Sequence, residues 1–152
     1  MRIVILAHER LRDELLDRLI VRYLRRLPWR VEVRELTGQN ARRRRAAEVA
    51  GPASRLAHRF VIALDERGRM LDSIAFARLL DDLRGGGCRE LVFVVGGPDG
   101  LPPQTTQQAD LLLSLGPMTL PHALARLVLV EQLYRAHTLL SGHPYHRTGA
   151  KP

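Results

Sequence analysis

Apolar and polar positions along this chain repeat with two different periods, and the switches between them predict its elements. Arg2 to Ala7 is a short β-branched run of the kind that becomes a buried central strand. From Leu11 to Leu27 the residues Leu11, Leu15, Leu16, Leu19, Ile20, Tyr23, Leu24 and Leu27 recur at three and four, which predicts an amphipathic helix that Pro28 stops. Val31 and Val33 alternate with Arg30, Glu32 and Arg34 as a second strand, broken at Thr37-Gly38-Gln39-Asn40. Arg42 to Arg45, followed by Ala46, Ala47, Val49 and Ala50, predict a weak helix interrupted at Gly51-Pro52. Phe60 to Leu64 is a third strand ending in the polar turn Asp65-Glu66-Arg67-Gly68. Ser73 is expected to cap a helix that turns Ile74, Ala77, Leu80 and Leu83 inward and ends at Gly85-Gly86-Gly87. Glu90 to Val95 is a strand running into Gly96-Gly97-Pro98-Asp99-Gly100. A short polar helix from Gln104 to Ala109, a strand from Leu111 to Leu115 and a loop from Gly116 to Leu120 follow. A last helix begins at Pro121 or His122 and runs to Leu140. Strand and helix alternate, so the fold class is α/β, with a mostly parallel sheet and helices on both faces.

The 152 residues, 45% of them hydrophobic, suit one domain that buries roughly two-thirds of its unfolded surface. No apolar run approaches the roughly 20 residues that cross a bilayer, and Ile3 to Ala7 is too short for a signal-peptide core, so an unexported, cytoplasmic protein without membrane partners is expected. The lone Cys88 has no second thiol for a disulfide or a zinc site. Charge adds more. Residues 1–69 hold 17 arginines against nine acidic residues, whereas residues 70–152 hold seven of each sign. Arginine binds phosphate oxygens through a planar fork, so this asymmetry points one half of the molecule at a polyanion, nucleic acid first. The competing reading is a solvated basic surface.

Ligands of open α/β sheets bind beyond the carboxyl ends of strands, which singles out Leu64-Asp65, Gly96 to Gly100 and Gly116 to Pro121. The glycine turn lets backbone approach a ligand. It lacks both the dinucleotide spacing and the P-loop ending. The six histidines form no zinc pattern, so no metal is expected, and no nucleophile elbow, Cys–His pair or carboxylate cluster indicates a hydrolase. His143, Tyr145 and His146 gather in the terminal segment, either as proton-transferring groups or as a frayed polar tail.

Tyr23-Leu24-Arg25-Arg26-Leu27, Leu64-Asp65, Val95-Gly96-Gly97-Pro98-Asp99-Gly100-Leu101, Met118-Thr119-Leu120-Pro121-His122, Glu131-Gln132-Leu133-Tyr134-Arg135-Ala136 and His143-Pro144-Tyr145-His146-Arg147 stand in an order and at separations that resemble the RlmH family of ribosomal RNA methyltransferases. The resemblance spans essentially the whole chain. It implies a single minimal SPOUT domain over residues 1–152 whose C-terminal half is threaded as a deep trefoil knot holding S-adenosylmethionine. The implied activity is methylation of N3 of a pseudouridine in 23S ribosomal RNA on assembled ribosomes, by a homodimer. The cofactor residues carried over are Leu64, Gly96, Leu115, Gly116, Pro117, Met118, Thr119 and Leu120, with Leu64, Leu115, Met118 and Leu120 as an apolar slot for adenine. His146 or Tyr145 is the expected acceptor of the N3 proton, with Arg147, Arg126 or Arg135 placing phosphate or stabilising charge. Arg126 and Arg135 are otherwise salt-bridge partners for Glu131. Arg22, Arg25, Arg26, Arg42, Arg43, Arg44 and Arg45 are the expected grip on RNA phosphates. Dimerisation through the long last helix is expected to set one subunit's tail beside the other's cofactor. The chain departs from the family at His8-Glu9, where a Val-Gly pair is usual, and at Gly116-Pro117, where a Ser-containing loop start is usual. The competing functions are a non-catalytic ribosome-binding or assembly protein and a SPOUT methyltransferase with another RNA target.

Overall fold

A five-stranded, wholly parallel sheet organises the computed structural model, which describes residues 1–37 and 58–145. The expected weak helix with Arg42 to Arg45, and the tail from His146 and Arg147 onward, lie outside the described residues. In chain order the elements are β1 (Arg2–Ala7), α1 (Glu14–Leu24), β2 (Val31–Glu35), β3 (Arg59–Met70), α2 (Ser73–Gly85), β4 (Glu90–Val95), α3 (Pro103–Gln108), β5 (Leu111–Ser114) and α4 (His122–Leu140). The strands lie in the order β2-β1-β4-β3-β5. Val4 pairs with Val92, which in turn faces Val61, so the β-branched runs read from sequence stack at the centre of the sheet.

Strand alternation divides the core in two. Ile3, Ile5, Leu91, Phe93 and Ile62 face α1, α2 and α4, while Val4, Leu6, Val92, Val94 and Ala63 form the opposite face, against which Leu101 and Ala109 beside α3 pack. Helices therefore cover both faces, unevenly. The crossovers β1-α1-β2 and β3-α2-β4 step one way along the sheet over the first face. The crossover β4-α3-β5 steps the other way over the second, so all three have a single hand, as right-twisted strands require. Helix α4 packs between α1 and α2 and buries residues around most of its circumference, which explains why its sequence is apolar on nearly every side.

Several local expectations are corrected. The first helix starts at Glu14 rather than Leu11, because the Asp13 carboxylate caps it by accepting from Leu15 N at 2.9 Å and Leu16 N at 3.0 Å, while Leu11 N donates to Glu35. Leu15 and Leu19, expected inward, are 72% and 40% exposed. Asp72, not Ser73, caps α2, and the freed Ser73 hydroxyl donates to Gln132 Oε1 at 2.7 Å. Ile74 faces outward. The third strand does not end at Leu64. Leu64 and Arg69 both stand opposite Leu113, so residues 65–68 leave the ladder and return to it. Gly68 makes the return possible, since a Cβ there would lie 2.6 Å from the Leu112 carbonyl carbon.

Candidate functional site

The connections leaving the carboxyl ends of the adjacent strands β3 and β4 turn to opposite faces of the sheet, and that divergence opens a crevice at the strand ends. The 65–68 excursion, the glycine turn after β4 and the loop after β5 enclose there an open cleft of about 820 Å³. Of the residues assigned to the cofactor from sequence, Leu64, Gly96, Leu115, Gly116, Met118, Thr119 and Leu120 line this cleft. Pro117 is exposed and does not. The cleft also takes in Asp65, Glu66, Arg67, Asp99 and His122, which were not assigned. Asp65 and Asp99 lie within the strand-end segments singled out from sequence, whereas Glu66, Arg67 and His122 lie just beyond those segments.

Close backbone contact shapes the glycine turn. Gly100 N donates to Gly97 O at 3.0 Å, Gly100 takes a positive φ of 75°, and a Cβ on Gly96 would approach the Gly100 carbonyl carbon to 2.9 Å. The loop after β5 starts from a second glycine in positive φ, Gly116, whose amide is held by the Ser114 hydroxyl at 3.1 Å. Ser114 thus provides a hydroxyl at the loop start even though Gly116-Pro117 does not.

Charges fix the walls. Asp65 accepts from Arg67 at N (2.9 Å), Nε (3.0 Å) and Nη2 (3.1 Å), and the Arg67 hydrogen bonds hold its carboxyl below the usual range. Glu66 accepts from the Thr119 hydroxyl at 3.1 Å, tying the excursion to the opposite loop. Arg126, 3% exposed in the second turn of α4, donates to Glu35 Oε1 at 2.8 Å and to the Glu9 carbonyl at 2.7 Å. Burial pushes the Glu35 carboxyl up, but the Arg126 and Leu11 hydrogen bonds outweigh it and hold the group below its usual range. Arg126 was expected to pair with Glu131, but a separation of five residues puts the two on different helix faces. Arg135, four residues from Glu131, does pair with it, at 2.6 Å.

At the first departure from the family pattern, buried His8 continues the ladder by donating from N to Val95 O at 2.9 Å. His8 O and the Glu9 side chain then lie beneath Gly97, 3.7 and 3.8 Å from where its Cβ would stand. Arg126 therefore ties the start of α4, the β1 end and the glycine turn into one support.

Tyr145 lies elsewhere. Its hydroxyl donates to Glu131 Oε1 at 3.1 Å and stands 3.4 Å from that of Tyr23, and its ring packs edge-on against Tyr134 with the Arg135 guanidinium 5.0 Å from the ring centroid. Burial, then the bonds to Tyr23 and Glu131, push the phenol well above its usual range. Glu131 stands six residues along α4 from Ala125, the last residue of the cleft, a distance of about 9 Å in helical rise. Arg22, Arg25 and Arg26 are exposed along α1 and just beyond its end, with the Arg26 guanidinium 5.9 Å from the Tyr134 ring centroid. Among the described residues no helix is long and apolar enough to cross a membrane, and no three His, Cys, Asp or Glu side chains gather as a metal site.

Comparison with known proteins points the same way. The family model described as "Predicted SPOUT methyltransferase" matches residues 1–146. The ribosomal RNA large subunit methyltransferase H of Rhizobium meliloti (strain 1021) is 51% identical over 118 residues, which cover 77% of this chain and 74% of that protein. The same-named protein of Agrobacterium fabrum is 44% identical over 159 aligned positions, covering 97% of this chain and 99% of its own. Two solved structures share the fold at low identity. The SpoU methyltransferase AviRb from Streptomyces viridochromogenes, solved in complex with AdoMet, superposes with a TM-score of 0.51 at 15% identity. That match covers 89% of this chain and 57% of AviRb, so this chain spans little more than half of AviRb's length. A probable methylase family protein from Haemophilus influenzae superposes with a TM-score of 0.54 at 12% identity, covering 97% of this chain and 70% of its own.

Proposed function

Because this chain belongs to the SPOUT methyltransferase family, we propose that it methylates N3 of a pseudouridine in 23S ribosomal RNA on assembled ribosomes, with S-adenosylmethionine as donor. The observation that carries the reading is the cleft itself. Seven of the eight residues that the resemblance gives to the cofactor converge from three separate loops around one cavity.

The residues present fit that cofactor. The cavity volume falls within the range of small-molecule sites, Leu64, Leu115, Met118 and Leu120 offer apolar wall for a purine, and Asp65, Glu66 and Asp99 suit a cationic ligand. The Gly96 turn would present backbone to it without a side chain in between. When bound, S-adenosylmethionine supplies a methyl group already activated by its sulfonium. The protein's own task is to place the base nitrogen, exclude water and remove the N3 proton. His146 takes that proton, and Arg147 steadies charge on the base. Tyr145, held as a neutral hydrogen-bond donor on Glu131, fixes the start of the tail rather than acting as the base.

Tyr145 anchors the tail on α4 beyond the described wall of the cleft, an arrangement that suits a homodimer in which one subunit's tail serves its partner's cleft. Helix α4 is largely covered by its own chain. Exposed apolar side chains available to such pairing include Leu15 and Leu19 on α1 and Leu124 and Leu140 on α4. Arg22, Arg25 and Arg26, together with Arg42 to Arg45, grip ribosomal phosphates, an attraction that falls steeply with salt. Such an enzyme works in the cytoplasm, where ribosomes are assembled. The test is transfer of labelled methyl to ribosomes lacking the modification. Transfer to 23S ribosomal RNA supports the reading. Cofactor binding without transfer would redirect it to another RNA, and no cofactor binding would leave a ribosome-binding protein.

Two glycines of one turn provide a paired prediction. Alanine at Gly96 must force the Gly100 and Leu101 backbone away, whereas alanine at Gly97 meets only ordinary contacts at 3.7 and 3.8 Å. Overpacking of this kind costs about 1–3 kcal/mol. Gly96→Ala is therefore expected to weaken S-adenosylmethionine binding roughly 10- to 100-fold by calorimetry, and Gly97→Ala to stay within about threefold of the parent.

A further inference from the structure

We propose that Arg67, on the excursion of β3 at the rim of the cleft, and Arg69, where that excursion rejoins the sheet, hold the RNA phosphates that flank the target nucleotide. The inference rests on the methyltransferase reading above and assigns its cleft a substrate contact.

Its starting point is the charge of the cleft wall. Asp65, Glu66 and Asp99 line the cavity, and Arg67 is the only Lys or Arg among its described lining residues. Those carboxylates favour a cationic ligand inside and repel phosphate, so the backbone of any nucleotide presented here is kept to the rim. Arg67 stands at that rim with its side chain 81% exposed, yet its guanidinium is forked onto Asp65 through Nε and Nη2. A long side chain already oriented in the free protein loses less freedom when it captures an anion. Arg69, also exposed, marks the point where the excursion rejoins the ladder opposite Leu113.

Gly68 lies between the two arginines, seated so closely on β5 that a Cβ would reach the backbone of Leu112 and Leu113 at 2.6 and 2.7 Å. A second tie, from Glu66 to Thr119, holds the same segment to the loop after β5. The excursion is thus a fixed shelf with a cation on either side of its seat. The arginines of α1 can provide general attraction to a ribosome. The shelf brings one of its cations, Arg67, to the cleft itself and sets the second, Arg69, two residues further along the strand.

The test compares the full-length parent with Arg67→Ala, Arg69→Ala and the double variant, using ribosomes that lack the modification. All the substituted side chains are exposed, so folding should be retained, and melting curves check that it is. The double variant is expected to raise KM for ribosomes 10- to 100-fold, and Arg69→Ala, whose residue is not part of the cleft lining, to leave the dissociation constant for S-adenosylmethionine within twofold. The double variant should also flatten the plot of log(kcat/KM) against log salt by about one to two, at ~0.7–0.9 per lost phosphate contact. The double lysine variant should recover part of the loss. Unchanged KM and salt slope would reduce the shelf to a solvated rim and overturn the proposal. A fall in cofactor affinity that matches the fall in activity would also overturn it, since the arginines would then bind the cofactor's carboxylate. If the parent itself transfers no methyl to ribosomes, the assignment of a ribosomal target fails on its own. Salt-dependent binding of 23S ribosomal RNA by parent and double variant would still decide the role of the shelf.

Discussion

Alanine at Gly68 is expected to lower the melting temperature of this protein by roughly 6–12 °C. The added methyl would lie 2.6 Å from the Leu112 carbonyl carbon, and 2.7 Å from both the Leu112 oxygen and the Leu113 nitrogen. Side-chain crowding can relax by rotation. These three atoms are backbone of β5 and can move only if the strand moves. The cost falls at the upper end of overpacking, about 3 kcal/mol, and each kcal/mol shifts the midpoint by about 2–4 °C at this chain length. Gly85→Ala is the matched control. That glycine is the last residue of α2, with nothing within 4 Å of its notional Cβ. Alanine there should be neutral or stabilise by up to about 1 kcal/mol. Equal melting temperatures for Gly68→Ala and the parent would mean that the excursion is not seated on β5.

Removing His146 is expected to slow methyl transfer about 10²- to 10⁴-fold at saturating cofactor and ribosome, the usual loss for a general base. Cofactor affinity should change little, because Leu64, Gly96, Leu115, Met118 and Leu120 supply the described wall of the cleft. The pH profile gives a separate readout. If His146 takes the N3 proton, the parent rate rises with pH as the imidazole loses its proton, and His146→Ala loses that rise. Tyr145→Phe should behave differently. It keeps the ring packed on Tyr134 and removes only the hydroxyl that donates to Glu131, which retains Arg135 at 2.6 Å. A drop of less than about fivefold is expected, within the net value of one hydrogen bond. A large loss in Tyr145→Phe together with normal rates in His146→Ala would exchange the two roles.

The strands and the long helices were legible because burial imposes a period on them. β1 and β4 match their sequence-derived bounds residue for residue, and α4 was placed to within its first residue. The three loops of the cleft were legible for a topological reason: ligands of parallel sheets bind beyond strand ends. Other features had no local signature. Asp65-Glu66-Arg67-Gly68 has the composition of a terminating turn, and nothing in it announces that the chain rejoins β5 two residues past Arg67. Asp72 and Ser73 are adjacent residues of equal capping chemistry, so sequence could not choose between them. The partner of Arg126 stands 91 positions away at Glu35, beyond any helical spacing. Leu15 and Leu19 fit the apolar stripe of α1, yet they lie on the part of it that the chain leaves uncovered. That mismatch is intelligible if a second subunit covers them. The trefoil threading came from family resemblance alone, since hydrophobic periodicity carries no record of which loop a helix passes through.

The central claim is tested most directly by incubating the protein with isotopically labelled S-adenosylmethionine and ribosomes that lack the modification, then digesting the 23S ribosomal RNA to nucleosides for mass spectrometry. The account predicts a single labelled product, pseudouridine methylated at N3, formed on assembled ribosomes. Label in any other nucleoside, or none in 23S ribosomal RNA while the cofactor binds normally, would contradict it.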